Sequence, residues 1–273
     1  LMPFYGISIA FMDYSTKTGM QSPFVGLYNF RVLFSNDEFL HILWNTVRLS
    51  LLKIIFGFPM PVLLALSINA IKVKWFRKVS QTISYLPNFI SWMIVFSISV
   101  ELFNGYTGVF ANLFTALNIP YTDPTLNSGT FISFLVFTSV WKSMGMGSII
   151  YLAALSGIDE ALYEAASIDG ANSFRKLVSI TLPSLAPVCA VVLILNIGQL
   201  LGGDFEQVYL FQRESDELVT VSEIFETYIY RNGIRANNFS LPAAMGIFQS
   251  VFGAILITIS NKVANKLGYE GIW

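Results

Sequence analysis

Residues 164–183 read EAASIDGANSFRKLVSITLP, a polar, glycine-broken stretch between FISFLVFTSVWKSMGMGSIIYLAAL at 131–155 and SLAPVCAVVLILNIGQLL at 184–201. As helices, both flanks are long enough to cross the roughly 30 Å hydrocarbon core of a bilayer. The stretch between them is therefore a loop joining two spans, and its own pattern is helix–turn–helix. Asp159 can cap the first helix, with Glu160 in the first turn, where the helix dipole favours an acid. Ala161, Leu162, Ala165 and Ala166 favour helix, and Gly170 supplies a left-handed stop. Asn172 or Ser173 restarts a second helix, which Pro183 is expected to end as the chain re-enters the membrane. Glu160 and Glu164 stand one turn apart, a like-charged pair costing a few tenths of a kcal/mol. The dipole offsets Glu160 but hardly reaches Glu164. An unpaired carboxylate beside Ala161 and Ala165 points to docking against a cationic partner; a solvated loop is the plainer alternative.

Composition sets the class. Hydrophobic residues make up 54% of the 273 positions and charged ones only 12%, against about 25% charged in ordinary soluble domains. Mean hydropathy is +0.62. A deficit of charge spread over several apolar windows of about twenty residues means a polytopic helical membrane protein. Cys189 is the single cysteine, which excludes an internal disulfide or a zinc cage. His41, the single histidine, reads as an interfacial residue rather than a metal ligand. No basic block suggests nucleic acid.

Complete spans are expected at 43–70, 80–103, 130–155, 184–203 and 241–261, with residues 1–12 (LMPFYGISIAFM) as the end of an incomplete first span. Pro59, Pro61 and Pro87 should kink helices or mark their starts. Lys72, Lys74, Arg77 and Lys78 fall on the same side as Arg175, Lys176, Lys262 and Lys266. The opposite loops hold Lys17, Arg31, Arg213, Arg231 and Arg235, diluted by acids that include Asp123, Glu206, Glu214, Glu223 and Glu226. The positive-inside rule then puts the 156–183 loop in the cytoplasm. The permeation core is expected over 43–263, between an external segment at 13–42 and a cytoplasmic tail at 264–273. Within a second external segment, 204–240, Val221, Ile224, Phe225 and Tyr228 recur at helical spacing and predict one amphipathic helix.

The loop matches a known signature position by position. Glu164-Ala165-Ala166, then Gly170, then Ile180-Thr181-Leu182-Pro183 resemble the EAA motif of importer-type ABC permeases. Nearly the whole chain, including NTVRLSLLKIIFGFPMPVLLALSINAI, FRKVSQTISYLPNFISWMIV and WKSMGMGSIIYLAALSGID, is similar to the MalF-type sugar permeases, within them the oligosaccharide and polysaccharide branch. The resemblance implies an all-α, polytopic bundle of about six spans, of the MetI/MalF-like kind. It implies that Glu164, Ala165, Ala166, Asp169, Gly170, Ile180, Leu182 and Pro183 belong to a coupling loop seated on a separate ATPase, with Glu164 facing a cation there. It further implies a homologous second permease, two ATP-binding subunits that hold ATP and Mg, an external solute-binding protein, and the bacterial inner membrane. The sequence itself contains no G-x-x-x-x-G-K-[ST], so this chain is expected to bind no cofactor and to be no enzyme by itself. GMGS at 145–148 lies in a span, where glycines serve helix contact.

Polar and aromatic groups at membrane depth mark a candidate pathway. Lys142 follows Trp141 near the middle of its span; an internal ion pair with Asp204 or Glu101 is the alternative role for Lys142. Asn196 and Gln199 share helical spacing, Asp204 follows, and Arg48, Lys53, Trp92 and Tyr151 complete the set. The cations Arg48, Lys53 and Lys142 lean towards an acidic sugar such as alginate, and neutral glycans stay open. An ion-coupled secondary transporter would commonly carry internal repeats, and none is evident; a scaffold without transport would need no polar groups at mid-span.

Overall fold

A computed structural model describes residues 2–266 and 268; of the expected 264–273 tail, residues 267 and 269–273 lie outside the described residues. The helices are α1 Met2–Ile9, α2 Tyr28–Ser35, α3 Asp37–Gly57, α4 Pro59–Asn69, α5 Lys74–Tyr85, α6 Trp92–Phe103, α7 Val109–Ala116, α8 Ser128–Ser156, α9 Glu160–Ile168, α10 Ser173–Lys176, α11 Leu182–Gly198, α12 Phe205–Gln212, α13 Asp216–Ser222, α14 Phe225–Tyr228 and α15 Ser240–Lys266. The described residues form no strands, only an isolated bridge between Met12 and Phe24. The all-α class is as expected.

Four helical runs are long and apolar enough to cross a membrane: Asp37–Asn69, Ser128–Ser156, Ser173–Gly198 and Ser240–Lys266. A fifth counts only if Lys74–Phe89 and Trp92–Phe103 are taken as one broken span. The break has a local cause. Pro87 sits in a 3₁₀ turn over Leu86–Phe89, and Ser91 turns extended to cap α6, its Oγ accepting from the Ile94 N–H at 3.4 Å. Pro59 opens α4 at its first position, where a missing N–H costs nothing. Pro183 corrects an expectation. It ends no helix, because the backbone widens to a π-helical turn over Leu177–Thr181 and continues into α11. The wider turn makes room for the ring and for the N–H it lacks.

The chain divides into two compact units. The first comprises residues 1–52, 91–136 and 198–255. Its core joins Leu33, Phe39, Ile42, Leu201, Phe225, Tyr228 and Met245. Phe39, Phe225 and Phe248 meet with ring centroids 5.3–5.9 Å apart, in the tilted and edge-on geometries that aromatic pairs prefer. Here the predicted amphipathic helix fails. α13 stops at Ser222, Ile224 is extended with its N–H on Thr227 Oγ1 at 3.0 Å, and α14 is a new short helix. Ser222, Glu223, Ile224, Phe225, Thr227 and Tyr228 are all buried. The segment is thus core on every side, and one-face periodicity was the wrong template for it.

The second unit comprises residues 53–90, 137–197 and 256–273, with Ala65, Ile68, Tyr151, Leu152, Leu155 and Leu185 at its centre. α8 meets the end of α5 at Gly145, where an added Cβ would fall on the carbonyl carbon and oxygen of Ser84. That contact of helix backbones is the role expected for a glycine in a span.

Candidate functional site

The 156–183 loop is built as a rigid knuckle in the second unit. Asp159 Oδ1 accepts from the Ala161 N–H at 2.9 Å and opens α9. At the other end Gly170 takes φ +75°. The Ala171 N–H returns to Ala166 O at 2.8 Å and the Gly170 N–H to Ser167 O at 3.1 Å, the paired bonds of a Schellman stop. Asn172 Oδ1 then caps α10 through the Arg175 N–H at 2.8 Å. Two side-chain links brace the element: Tyr163 Oη lies 2.9 Å from Thr181 Oγ1, and Lys176 Nζ donates to Ser167 Oγ. Each of these residues is local in sequence, so the knuckle is set by its own turn chemistry.

Of the expected coupling residues, Glu164, Ala165, Asp169, Gly170, Leu182 and Pro183 are exposed, and Ala166 and Ile180 are half-buried. Beside them Ile168 is 87% exposed, Phe174 72% and Leu162 51%. Ile168 and Phe174 are not among the residues expected from the sequence to form the coupling surface. Their signal was large apolar side chains flanking a helix-ending glycine, where a solvated turn would carry polar ones. A rigid knuckle presenting apolar side chains around an exposed carboxylate is suited to a protein partner.

The candidate pathway residues are distributed over both units. Arg48, Trp92, Gln199 and Asp204 belong to the first; Lys53, Trp141, Lys142, Tyr151 and Asn196 belong to the second. Tyr151 is packed in the core of the second unit. Lys142 Nζ donates to Asn88 O at 2.9 Å, Ile90 O at 2.7 Å and, more weakly, Pro87 O at 3.5 Å. It holds the carbonyls exposed where Leu86–Phe89 ends. Gln199 lies beyond the end of α11, off the helical face expected to carry it with Asn196. Arg48 is exposed, and Lys53, Trp92, Asn196 and Asp204 are half-buried. A cavity of about 430 Å³ in the second unit is lined by apolar side chains including Phe58, Cys189, Leu193 and Ile259; none of the pathway residues lines it.

Two carboxylates of the 204–240 segment, Glu223 and Glu226, are drawn into the fold. Glu226 Oε1 accepts from the Gly203 N–H at 2.6 Å and from Gln249 Nε2 at 3.1 Å. Burial, more than these bonds, decides its titration and raises its pKa. Glu223 lies 2.8 Å from Arg231, yet burial pushes its pKa up to about 7; Arg231 opposes the shift and Glu38 adds to it. Between the ordinary value of 4.5 and about 7 the folded state holds a proton that the unfolded state has lost, so stability falls as pH rises through that window. The loss approaches a few kcal/mol. Thermal unfolding in detergent should show the midpoint dropping between pH 5 and pH 7.5 for the native protein and a markedly flatter profile for Glu223→Gln; parallel profiles would refute the buried proton.

Residues 57–267 match the family described as "Binding-protein-dependent transport system inner membrane component". The chain belongs to that family. The permease is 40% identical over 273 residues to Protein LplB of Bacillus subtilis, covering all of this chain and 85% of the relative. It is 39% identical to the polygalacturonan/rhamnogalacturonan transport system permease protein YteP of the same organism, covering 100% and 84%. Among solved structures, a chain of a bacterial alginate ABC transporter in complex with an alginate pentasaccharide-bound periplasmic protein matches with a TM-score of 0.90 at 33% identity, over 99% of the permease and 90% of that chain. The resemblance drawn from the EAA motif is thereby met at the level of family and fold.

Proposed function

We propose that this permease is the membrane subunit through which an ABC importer passes oligo- or polysaccharide, with acidic glycans of the alginate or polygalacturonan kind as its substrate class. Separate ATPase subunits, holding ATP and Mg, dock on the knuckle from the cytoplasm. A homologous permease completes the pore, and an external binding protein delivers the glycan. The observation that carries the coupling role is the pre-formed knuckle, with Glu164 exposed among Leu162, Ile168 and Phe174. The substrate class is supported by similarity to the alginate and polygalacturonan systems and by the cations Arg48 and Lys53 in α3. The chain converts closure of the ATPase pair into movement of its spans and performs no chemistry itself.

The test is ATP hydrolysis by the reconstituted complex. A binding protein loaded with a uronate oligomer should stimulate turnover, and one offered a neutral glucan should not. Glu164→Ala should cut stimulated hydrolysis and uptake by about tenfold, the worth of one charge-assisted contact, while the variant still assembles with its partner permease. Full coupling in that variant would remove Glu164 from the role; stimulation by neutral glycans alone would overturn the substrate class.

A further inference from the structure

The segment Lys72-Val73-Lys74-Trp75-Phe76-Arg77-Lys78 does more than orient the chain. No acidic residue occurs between Glu38 and Glu101, so these cations have no carboxylate on their own stretch. Lys72, Lys74 and Lys78 are exposed, while Arg77 is half-buried and donates to Asn69 Oδ1 at 3.1 Å.

α5 is also inverted relative to a water-soluble helix. Ser80 and Ser84 are half-buried, and Ser84 is the backbone contact of Gly145. Trp75 is 72% exposed, Phe76 52% and Ile83 65%. Trp75 and Ile83 lie two turns apart on the outward face. Such a face must be covered by apolar surroundings, and the lysines that border it match those of a bilayer interface. Lys74 and Lys78 stand one turn apart beside that face, at the end of the helix, where long cationic side chains reach out to headgroups while an aromatic pair sits at the interface.

We infer that the amino-terminal end of α5 is a binding site for anionic phospholipid headgroups. Lys72, Lys74 and Lys78 contact phosphate, and Trp75 and Phe76 are seated at the top of the acyl chains. An orientation signal needs only positive charge. This geometry adds an exposed aromatic pair and a lysine pair on one edge, which selects lipid by headgroup. The inference is independent of the glycan carried.

The test uses the whole importer in lipid nanodiscs, with Cys189→Ala and Phe76→Cys carrying a fluorophore. Nitroxide-headgroup phosphatidylglycerol should quench that label roughly fivefold more than the phosphatidylcholine analogue, the preference expected from about one effective cation at the surface. Raising salt to about 1 M should bring the two lipids to parity, a result that needs no further variant. The triple change Lys72→Gln, Lys74→Gln, Lys78→Gln should also give parity, and the matching arginine triple should retain the preference. Equal quenching by both lipids at low salt would overturn the site. So would absence of quenching by either lipid together with crosslinking of the unlabelled Phe76→Cys thiol to an ATPase subunit by a bifunctional maleimide–photoreactive reagent, which would make this end of α5 a protein contact instead. Loss of glycan-stimulated hydrolysis with the lipid preference intact would fail only the substrate reading.

Discussion

Gly145→Val is expected to prevent the permease from accumulating as a folded, extractable subunit. A Cβ at Gly145 would coincide with the carbonyl carbon and oxygen of Ser84 and approach the Tyr85 nitrogen at 3.1 Å. Those are backbone atoms of a neighbouring helix, which cannot rotate aside as a side-chain tip can. The helices must separate, and the packing between them is lost along with the hydrogen-bonded environment of the break at Leu86–Phe89. Overpacking of cores costs about 1–3 kcal/mol where side chains give way; with backbone as the obstacle the loss is expected at or beyond the top of that range. Gly147 is the internal comparison. Its added Cβ would meet the Pro61 ring at 3.1 Å, a side-chain contact that a shift of a few tenths of an ångström relieves. Gly147→Ala should therefore lower the thermal midpoint slightly, whereas Gly145→Ala should lower it strongly and Gly145→Val should leave only aggregate on size-exclusion chromatography. A monodisperse Gly145→Val protein of native stability would refute the close contact.

Lys142→Met is the second large effect, and it separates two roles for one residue. The ammonium donates to Asn88 O and Ile90 O at 2.9 and 2.7 Å, at a point where the backbone leaves helical bonding. Carbonyls at membrane depth have little water to replace a lost donor. Removing a charged donor from such a site costs about 2–4 kcal/mol. The thermal midpoint of the detergent-solubilised protein should fall by several degrees even with no saccharide present. Lys142→Arg should recover part of the loss, since a guanidinium still donates but cannot centre on two carbonyls in the same way. If Lys142 served only to touch the glycan, Lys142→Met would unfold like the native protein and lose uptake alone; that outcome would sink the pinning role.

The placement of Lys142 illustrates where the sequence stopped being readable. A lysine at mid-span marks a buried polar contact of some kind, and the reading of WKSMGMGS went that far. Its acceptors lie 52 and 54 residues earlier in the chain, one carbonyl in the 3₁₀ turn LPNF and one at Ile90 just past it, residues that carry no charge to suggest a partner. Glu223 failed for a similar reason. It is one acid among many in the 204–240 segment, and only the fold buries it, beside the charges of Arg231 and Glu38. The run Val221–Tyr228 matched a helical period, but six of its eight residues are buried, and a run with neighbours on most sides can be broken at Ile224 without losing its contacts.

The caps and the turn of the knuckle were legible because the bonds that set them join residues a few positions apart: Asp159 to Ala161, Ala166 to Ala171, Asn172 to Arg175; the braces from Tyr163 to Thr181 and from Lys176 to Ser167 reach further and were not. The membrane class, the helical architecture and the EAA resemblance likewise followed from composition and fixed spacing. What the tertiary structure alone decided was which helices touch, which acids are buried, and that α5 turns its apolar face outward; the break at Pro87 was already marked by the proline. Local hydrogen-bond chemistry is a property of neighbouring residues and can be read from their order. Contacts between helices depend on how distant faces meet in space, and the order of residues along one strand of chain does not contain that information.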